Sequence, residues 1–240
     1  MTMDPLVSTR VSIRWPPNAA TEDCDVLVIQ GRTGFFLDLR IFVDGHQRQG
    51  EIDWATAGWK KLLPASADGQ PRASFAPLID SRQCAPEYTP SPAADEDKSP
   101  PADEGTFTTL PNGDVLETGS MPNPDVPGSP IQEYEEVWRR LLLPKVVKCL
   151  ILAREDDKVF WGRVAGWEVG MGVDYQSKFW ATRRDLNGSG EWKDVVGDGK
   201  VDGKRRPLGE TRAGDEDPPK EGDVITTEDG KRWRVIENST

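Results

Sequence analysis

Residues 25–43 read DVLVIQGRTGFFLDLRIFV, two apolar segments separated by the turn Gly31–Gly34. Both segments, 25–30 and 35–43, are rich in the β-branched and aromatic residues that favour strands. A four-residue connection between two such segments is typical of a β-hairpin. The sequence therefore predicts an antiparallel hairpin here and an all-β class for the protein.

Further strands are predicted on both sides of this hairpin. Residues 7–15 alternate between apolar and polar side chains after Arg10, which is typical of a half-buried strand. Short β-rich runs predict more strands at 52–59, 107–110, 115–118, 146–153, 159–165, 177–183, 190–196, 223–227 and 232–237. Only 131–142 has a helical period, with Tyr134, Val137, Trp138, Leu141 and Leu142 on one face. We expect one short helix between two halves built of strands.

The composition limits the functions that are open to the chain. Its 240 residues carry 30 Lys and Arg against 41 Asp and Glu, a net charge of −11. The sequence thus lacks a basic footprint for nucleic acid, and no apolar run approaches the roughly 20 residues of a membrane helix. One histidine, His46, and three widely spaced cysteines predict neither a metal nor a cofactor. Reduced thiols favour the cytosol or nucleus.

An internal repeat is predicted from a shift of 123 residues. The shift places Leu27–Ile29 on Leu150–Leu152, Arg40 on Arg163, and Trp15 on Trp138. Duplicated β-barrels explain this better than chance. The predicted domains are residues 7–84 with 106–118 as the first barrel and 131–240 as the second. Between them, residues 85–105 are proline-rich and acidic, and we expect a disordered insertion.

A ligand site is one interpretation of the tryptophans, because small barrels can enclose a single ligand. The candidate ligand-binding residues are Arg40, Trp54, Trp59, Arg163, Trp167 and Trp180. On the other interpretation the indoles fill the barrels, and the two arginines pair with acids such as Asp38 or Glu168. The sequence singles out no catalytic residue.

Several segments together resemble a known family. They are FLDLRIFV at 36–43, IDWATAG at 52–58, LETG at 116–119, YEEVW at 134–138, GRVAGWEVG at 162–170 and DVITTEDGKRWRVIE at 223–237. This ordered set resembles the fungal HRI family, which is named for interaction with a casein kinase I homologue in yeast. The resemblance implies two tandem lipocalin-like β-barrels, a cytoplasmic and nuclear location, and no assigned enzymatic activity. It also implies, as protein partners, a casein kinase or a component of the post-translational translocation machinery at the endoplasmic reticulum.

The function that we predict is therefore that of a non-enzymatic interaction protein. Two alternatives stay open: a lipocalin-like carrier of a small apolar molecule, and a cofactor-free isomerase or cyclase that uses a tryptophan-lined barrel cavity. Both alternatives need a free guanidinium to hold the ligand. They lose that anchor if Arg40 and Arg163 point to solvent or form ion pairs within the protein.

Overall fold

The computed structural model describes residues 3–84, 103–154, 159–174, 178–196, 219–227 and 230–239. These residues form strands, turns and loops, with no helix among them. No helix that could cross a membrane is therefore found in this part of the chain. The predicted insertion at 85–105 lies outside the described residues except for its last three, which begin a strand.

Fifteen strands are present in the described residues. They are β1 (Leu6–Arg14), β2 (Cys24–Gln30), β3 (Phe35–Phe42), β4 (Ile52–Leu63), β5 (Arg72–Asp80), β6 (Asp103–Thr109), β7 (Val115–Pro122), β8 (Ile131–Arg140), β9 (Cys149–Arg154), β10 (Val159–Val164), β11 (Trp167–Val173), β12 (Phe179–Leu186), β13 (Trp192–Val196), β14 (Val224–Thr226) and β15 (Arg232–Ser239).

Strands β1 to β8 form a closed antiparallel barrel in chain order, with β8 pairing back onto β1. The predicted hairpin is confirmed as β2 and β3, with Leu27 opposite Leu39. Every residue of β3 is buried, because one face looks into the barrel and the other packs against the second sheet. Closure satisfies the strand edges that an open sheet would expose.

The predicted helix at 131–142 is wrong, because this segment is strand β8. Tyr134 and Trp138 are four residues apart, a spacing that places two side chains on one face of either a helix or a strand. The inward residue between them is Glu136, which is buried, so the charge that suggested a solvated helix face lies inside the barrel. Residues 131–140, predicted to open the second half, therefore belong to the first barrel.

The second half is a seven-stranded antiparallel sheet in the order β13-β12-β11-β10-β9-β15-β14, and not the closed barrel that was predicted. The last strand, β15, lies between β9 and β14, and among the described strands nothing joins β13 to β14. The β9–β10 hairpin corresponds to β2–β3 in strand order, but its residues do not pair in the register that the shift of 123 residues predicts. Val26 lies opposite Arg40, but Leu150 and not Cys149 lies opposite Arg163, so the registers differ by one residue.

The two halves share one apolar core. Its buried members come from both, including Ile29, Leu37 and Ile151. A Cβ atom on Gly162 would lie 2.8 Å from the Leu37 side chain and 3.0 Å from that of Ile29. Glycine at this position thus lets β10 approach the barrel closely.

A buried carboxylate fastens the second sheet to the barrel. The Glu237 side chain in β15 accepts hydrogen bonds from the Arg32 and Thr33 backbone N–H groups, both at 2.9 Å. It also accepts one from the Thr33 hydroxyl at 3.0 Å. Because these donors lie in the β2–β3 turn, the contact joins the last strand of the chain to the first hairpin.

We expect Glu237→Ala to lower the free energy of unfolding by about 2–3 kcal/mol, because two buried amide groups lose their acceptor. Urea denaturation followed by tryptophan fluorescence measures the change. Glu133→Ala is the matched control, since Glu133 lies exposed on β8. A loss below about 1 kcal/mol for Glu237→Ala would contradict a structural role for this contact.

Candidate functional site

A buried ion network occupies the barrel interior around Glu136. The Arg10 Nη1 donates to Glu136 Oε1 at 2.7 Å, and the Arg40 Nη1 donates to the same oxygen at 3.0 Å. Arg40 also donates from Nε and Nη2 to Asp38 Oδ2, at 3.2 and 2.9 Å. Arg10 reaches Glu22 with two further bonds of 2.7 and 3.0 Å. One carboxylate thus holds two guanidinium groups that burial would otherwise destabilise.

Aromatic rings complete the surroundings of Arg40. Its guanidinium carbon lies 4.6 Å from the centre of the Trp54 ring and 5.9 Å from that of Trp138. Burial lowers the pKa of Arg40, but the charges of Asp38 and Glu136 outweigh burial and raise it. Arg40 therefore sits as the cation of a cage built from two indoles and two carboxylates.

A second buried carboxyl group, Glu117, lies in the same interior. It accepts a hydrogen bond from the Tyr134 hydroxyl at 3.2 Å. Burial and the charge of Glu136 raise the pKa of Glu117 to about 8, and the same two causes raise that of Asp103 to about 6. A Cβ atom on Gly105 would collide with the Glu117 carboxyl group, so glycine there makes room for it. At neutral pH Glu117 is mostly protonated.

Aromatic side chains flank a partly buried lysine nearby. The Lys60 ammonium lies 4.6 Å from the centre of the Phe107 ring and 5.2 Å from that of Phe75. Burial lowers the pKa of Lys60, Arg140 lowers it further, and Glu117 opposes the shift. The ion network and these rings thus place charged and aromatic side chains of the protein itself in the barrel interior.

Arg163, in the second sheet, is also held by a carboxylate and by indoles. Its Nε and Nη2 donate to Glu168 Oε2 at 3.1 and 2.7 Å. The guanidinium carbon lies 5.1 Å from the centre of the Trp161 ring and 4.9 Å from that of Trp192. The geometry thus agrees with the interpretation in which each arginine pairs with an acid of its own sheet.

Of the six candidate ligand-binding residues, the structure brings only Arg40 and Trp54 together. Trp59 is five residues after Trp54, so strand alternation places it on the opposite face, where its ring meets Phe35 edge-on at 5.0 Å. Trp167 packs against the core between the two halves. Trp180 lies in the second sheet and packs beside Trp161 and Trp233.

An open cleft lies where the rim of the barrel meets the second sheet. We call it the junction cleft, and its volume is about 750 Å³. The apolar residues that line it include Ile41, Phe42, Ile52, Phe179, Trp180 and Val196. Asp25 on its wall accepts a 2.9 Å hydrogen bond from Arg183 of the second sheet. No sequence signal could reveal this cleft, because its residues come together only when the two halves pack.

Comparison with known proteins identifies the family. A family model described as Protein HRI1 matches residues 6–237. The chain belongs to the HRI1 family. The crystal structure of an uncharacterized protein, YLR301w from Saccharomyces cerevisiae, is similar with a TM-score of 0.73 and 18% identity, and the match covers 98% of this chain and 99% of that one. At that identity it shows the fold alone. No curated protein matches this chain.

One group of side chains in this HRI1-family protein is close enough to share a metal ion. Within the described residues, the ligand atoms of Glu22, Asp23 and Cys24 lie within 4.8 Å of one another. Glu22 is already bound to Arg10, and burial raises the pKa of the Cys24 thiol. An anionic oxygen and a thiolate are therefore not both free here, so the geometry does not favour a metal centre.

We expect Glu136→Gln to lower the free energy of unfolding by about 3–5 kcal/mol, since it leaves the two buried guanidinium groups of Arg10 and Arg40 without their shared charge. Glu135→Gln is the matched control, because Glu135 pairs with a half-exposed Arg14 on the outer face. Glu135→Gln should lower the free energy of unfolding by less than about 1 kcal/mol. Equal losses in urea denaturation would contradict the central role of Glu136.

A pH series tests the buried carboxyl group. Because the pKa of Glu117 is raised to about 8 in the folded protein, its contribution to stability is complete below about pH 4.3 and is lost as the pH rises toward 8. Glu117→Gln cannot ionise. The free energy of unfolding of this variant minus that of wild type should therefore rise by more than about 1 kcal/mol from pH 5 to 8. A flat difference, as expected for Glu135→Gln, would contradict the assignment.

Proposed function

We propose that this HRI1-family protein is a non-enzymatic interaction protein that binds a protein partner at the junction cleft. The observation that carries the proposal is the state of the two arginines that either alternative would use as an anchor. Arg40 is bound to Asp38 and Glu136, and Arg163 is bound to Glu168. The cleft, by contrast, is open and combines apolar surface from both halves.

The arrangement of the barrel interior does not favour a small-molecule carrier. A ligand with an acidic group would have to displace Asp38 or Glu136 from Arg40, and a carboxylate left buried without its partner is strongly destabilising. Trp54 and Trp138 already pack on the guanidinium. The guanidinium of Arg40 thus already has partners within the protein, where a carrier would bind its ligand.

One feature favours the hypothesis of a cofactor-free enzyme: the inward-facing carboxyl group of Glu117 has a raised pKa. Its hydrogen-bond donor is Tyr134, and Gly105 packs directly against it. Burial in a structural network also perturbs pKa values, and the contacts of Glu117 are with the protein itself. The geometry therefore supports an acid–base role less well than an interaction role.

The junction cleft has the chemistry of a protein-binding surface. Apolar residues line it together with the charged residues Asp25, Asp44, Asp174 and Lys178. Protein interfaces usually combine apolar and polar residues in this way. Because Val195 at the cleft is 38% exposed, a partner would bury further apolar surface there.

The resemblance to the fungal HRI family extends the proposal to partners and place. We propose a cytoplasmic and nuclear protein whose partner is a casein kinase I homologue or a component of the translocation machinery. The closed first barrel and the ion pairs of Arg40 and Arg163 suit a protein that acts through contacts and not through chemistry.

Partner capture with quantitative mass spectrometry tests the cleft. We expect Val195→Glu to lower the recovery of specific partners about tenfold, because a charge on the apolar wall opposes docking. Leu78→Glu is the matched control: Leu78 is 46% exposed on β5 and is not a cleft residue. Recovery unchanged by Val195→Glu, or reduced equally by Leu78→Glu, would contradict the proposal.

A further inference from the structure

Residues 139–148 comprise the last two residues of β8 and the link from β8 to β9, and they read RRLLLPKVVK. We call this segment the basic connector. It holds four basic residues and no acidic residue, in a chain whose net charge is −11. The connector is therefore a local reversal of the overall charge, and it joins the two halves of the protein.

The connector is fixed at both ends and through its middle. The Leu141 N–H donates to the Val7 carbonyl at 2.8 Å, and the Ala165 N–H donates to the Lys148 carbonyl at 2.9 Å. Leu141, Leu143 and Val147 pack against the core that the halves share. A backbone held in this way presents its remaining side chains in one arrangement, which lowers the entropy lost on binding.

The side chains that point outward are apolar as well as basic. Leu142 is 95% exposed and Val146 is 70% exposed, the highest values among the large apolar side chains of the described residues. Isolated exposed apolar residues are ordinary, but here the two lie on one short, fixed segment. Both also lie close in sequence to the basic residues Arg140, Lys145 and Lys148, so apolar and basic side chains occur together on this segment.

Three of the four basic residues of the connector are available to a partner. Arg139 is bound to Asp114 by two hydrogen bonds of 2.9 and 2.8 Å. Arg140, Lys145 and Lys148 are exposed, and no described residue forms an ion pair with any of them. Their charge is thus uncompensated within the described part of the chain.

We propose that the basic connector is a docking site for an acidic peptide segment that carries apolar side chains. The partner's carboxylates pair with Arg140, Lys145 and Lys148, and its apolar side chains cover Leu142 and Val146. Charge complementarity selects an acidic partner, and covering the exposed Leu142 and Val146 side chains removes apolar surface from water. An anionic membrane is disfavoured because the rest of the chain is strongly negative. The site shares no residue with the junction cleft.

Fluorescence anisotropy on the full chain tests the proposal. The probe is a fluorescein-labelled synthetic peptide of about ten residues made of Glu, Asp and Leu, long enough for one extended recognition segment. We expect saturable binding that weakens with added salt, as contacts between exposed charges do. The double variants Leu142→Ser/Val146→Ser and Lys145→Glu/Lys148→Glu should each weaken binding about tenfold or more.

Matched controls separate docking from general effects. Leu62→Ser and Lys193→Glu alter exposed residues outside the connector and should leave binding unchanged. A peptide with Lys in place of the acids should bind Lys145→Glu/Lys148→Glu better than wild type. Because Leu142 and Val146 are so exposed, their serine variants should keep the wild-type urea midpoint, which verifies folding.

Three results would overturn the proposal. The first is no binding of the acidic peptide to the wild-type protein. The second is equal binding by the wild type and both double variants. The third is binding to phosphatidylcholine vesicles with roughly 30% phosphatidylserine in the absence of any peptide binding, which would make the connector a lipid contact.

Discussion

Strand β3 is the constraint on which the rest of the structure depends, because it is buried on both faces. Two of its inward side chains, Asp38 and Arg40, are charged, and its outward side chains Leu37 and Leu39 lie in the core between the halves. A strand in this position must satisfy two opposite environments at once. The barrel must then supply a partner for each buried charge, while the second sheet must supply an apolar face.

The buried charges bear on where a binding site can be located in this protein. A guanidinium inside a barrel is stable only when carboxylates and hydrogen bonds compensate it, and Glu136 does this for both Arg10 and Arg40. That compensation fixes the interior and leaves Arg40 no free bonding surface on the side of Asp38 and Glu136. The proposed recognition of a partner therefore uses surfaces outside the barrel, which the packing of the halves creates.

The sequence was sufficient to predict the strands whose alternation is unambiguous, such as β2 and β3, and the family from its ordered motifs. It was misleading at 131–142, because Tyr134 and Trp138 fit two periods and Glu136 looks exposed in either. The same uncertainty left Glu117, like Asp53, indistinguishable from ordinary surface carboxylates, since no pattern tells which face a charged strand residue takes. The sequence left open whether Arg40 binds a ligand or pairs with Asp38, and only the three-dimensional structure distinguishes the two. The junction cleft forms only where the two halves pack together, and the residue pattern of a single strand does not predict that packing.

Contacts across the junction bring the two halves together at the proposed docking surface. Glu237 holds the barrel turn at Thr33 from the last strand of the chain, and Arg183 holds Asp25 at the wall of the cleft. A partner in the cleft therefore meets a shape that neither half presents alone. Separating the halves would expose the shared core and leave the Arg32 and Thr33 amides without their acceptor. The proposed binding there thus depends on the integrity of the whole fold, because the hydrogen bonds that stabilise the junction also preserve the shape of the cleft.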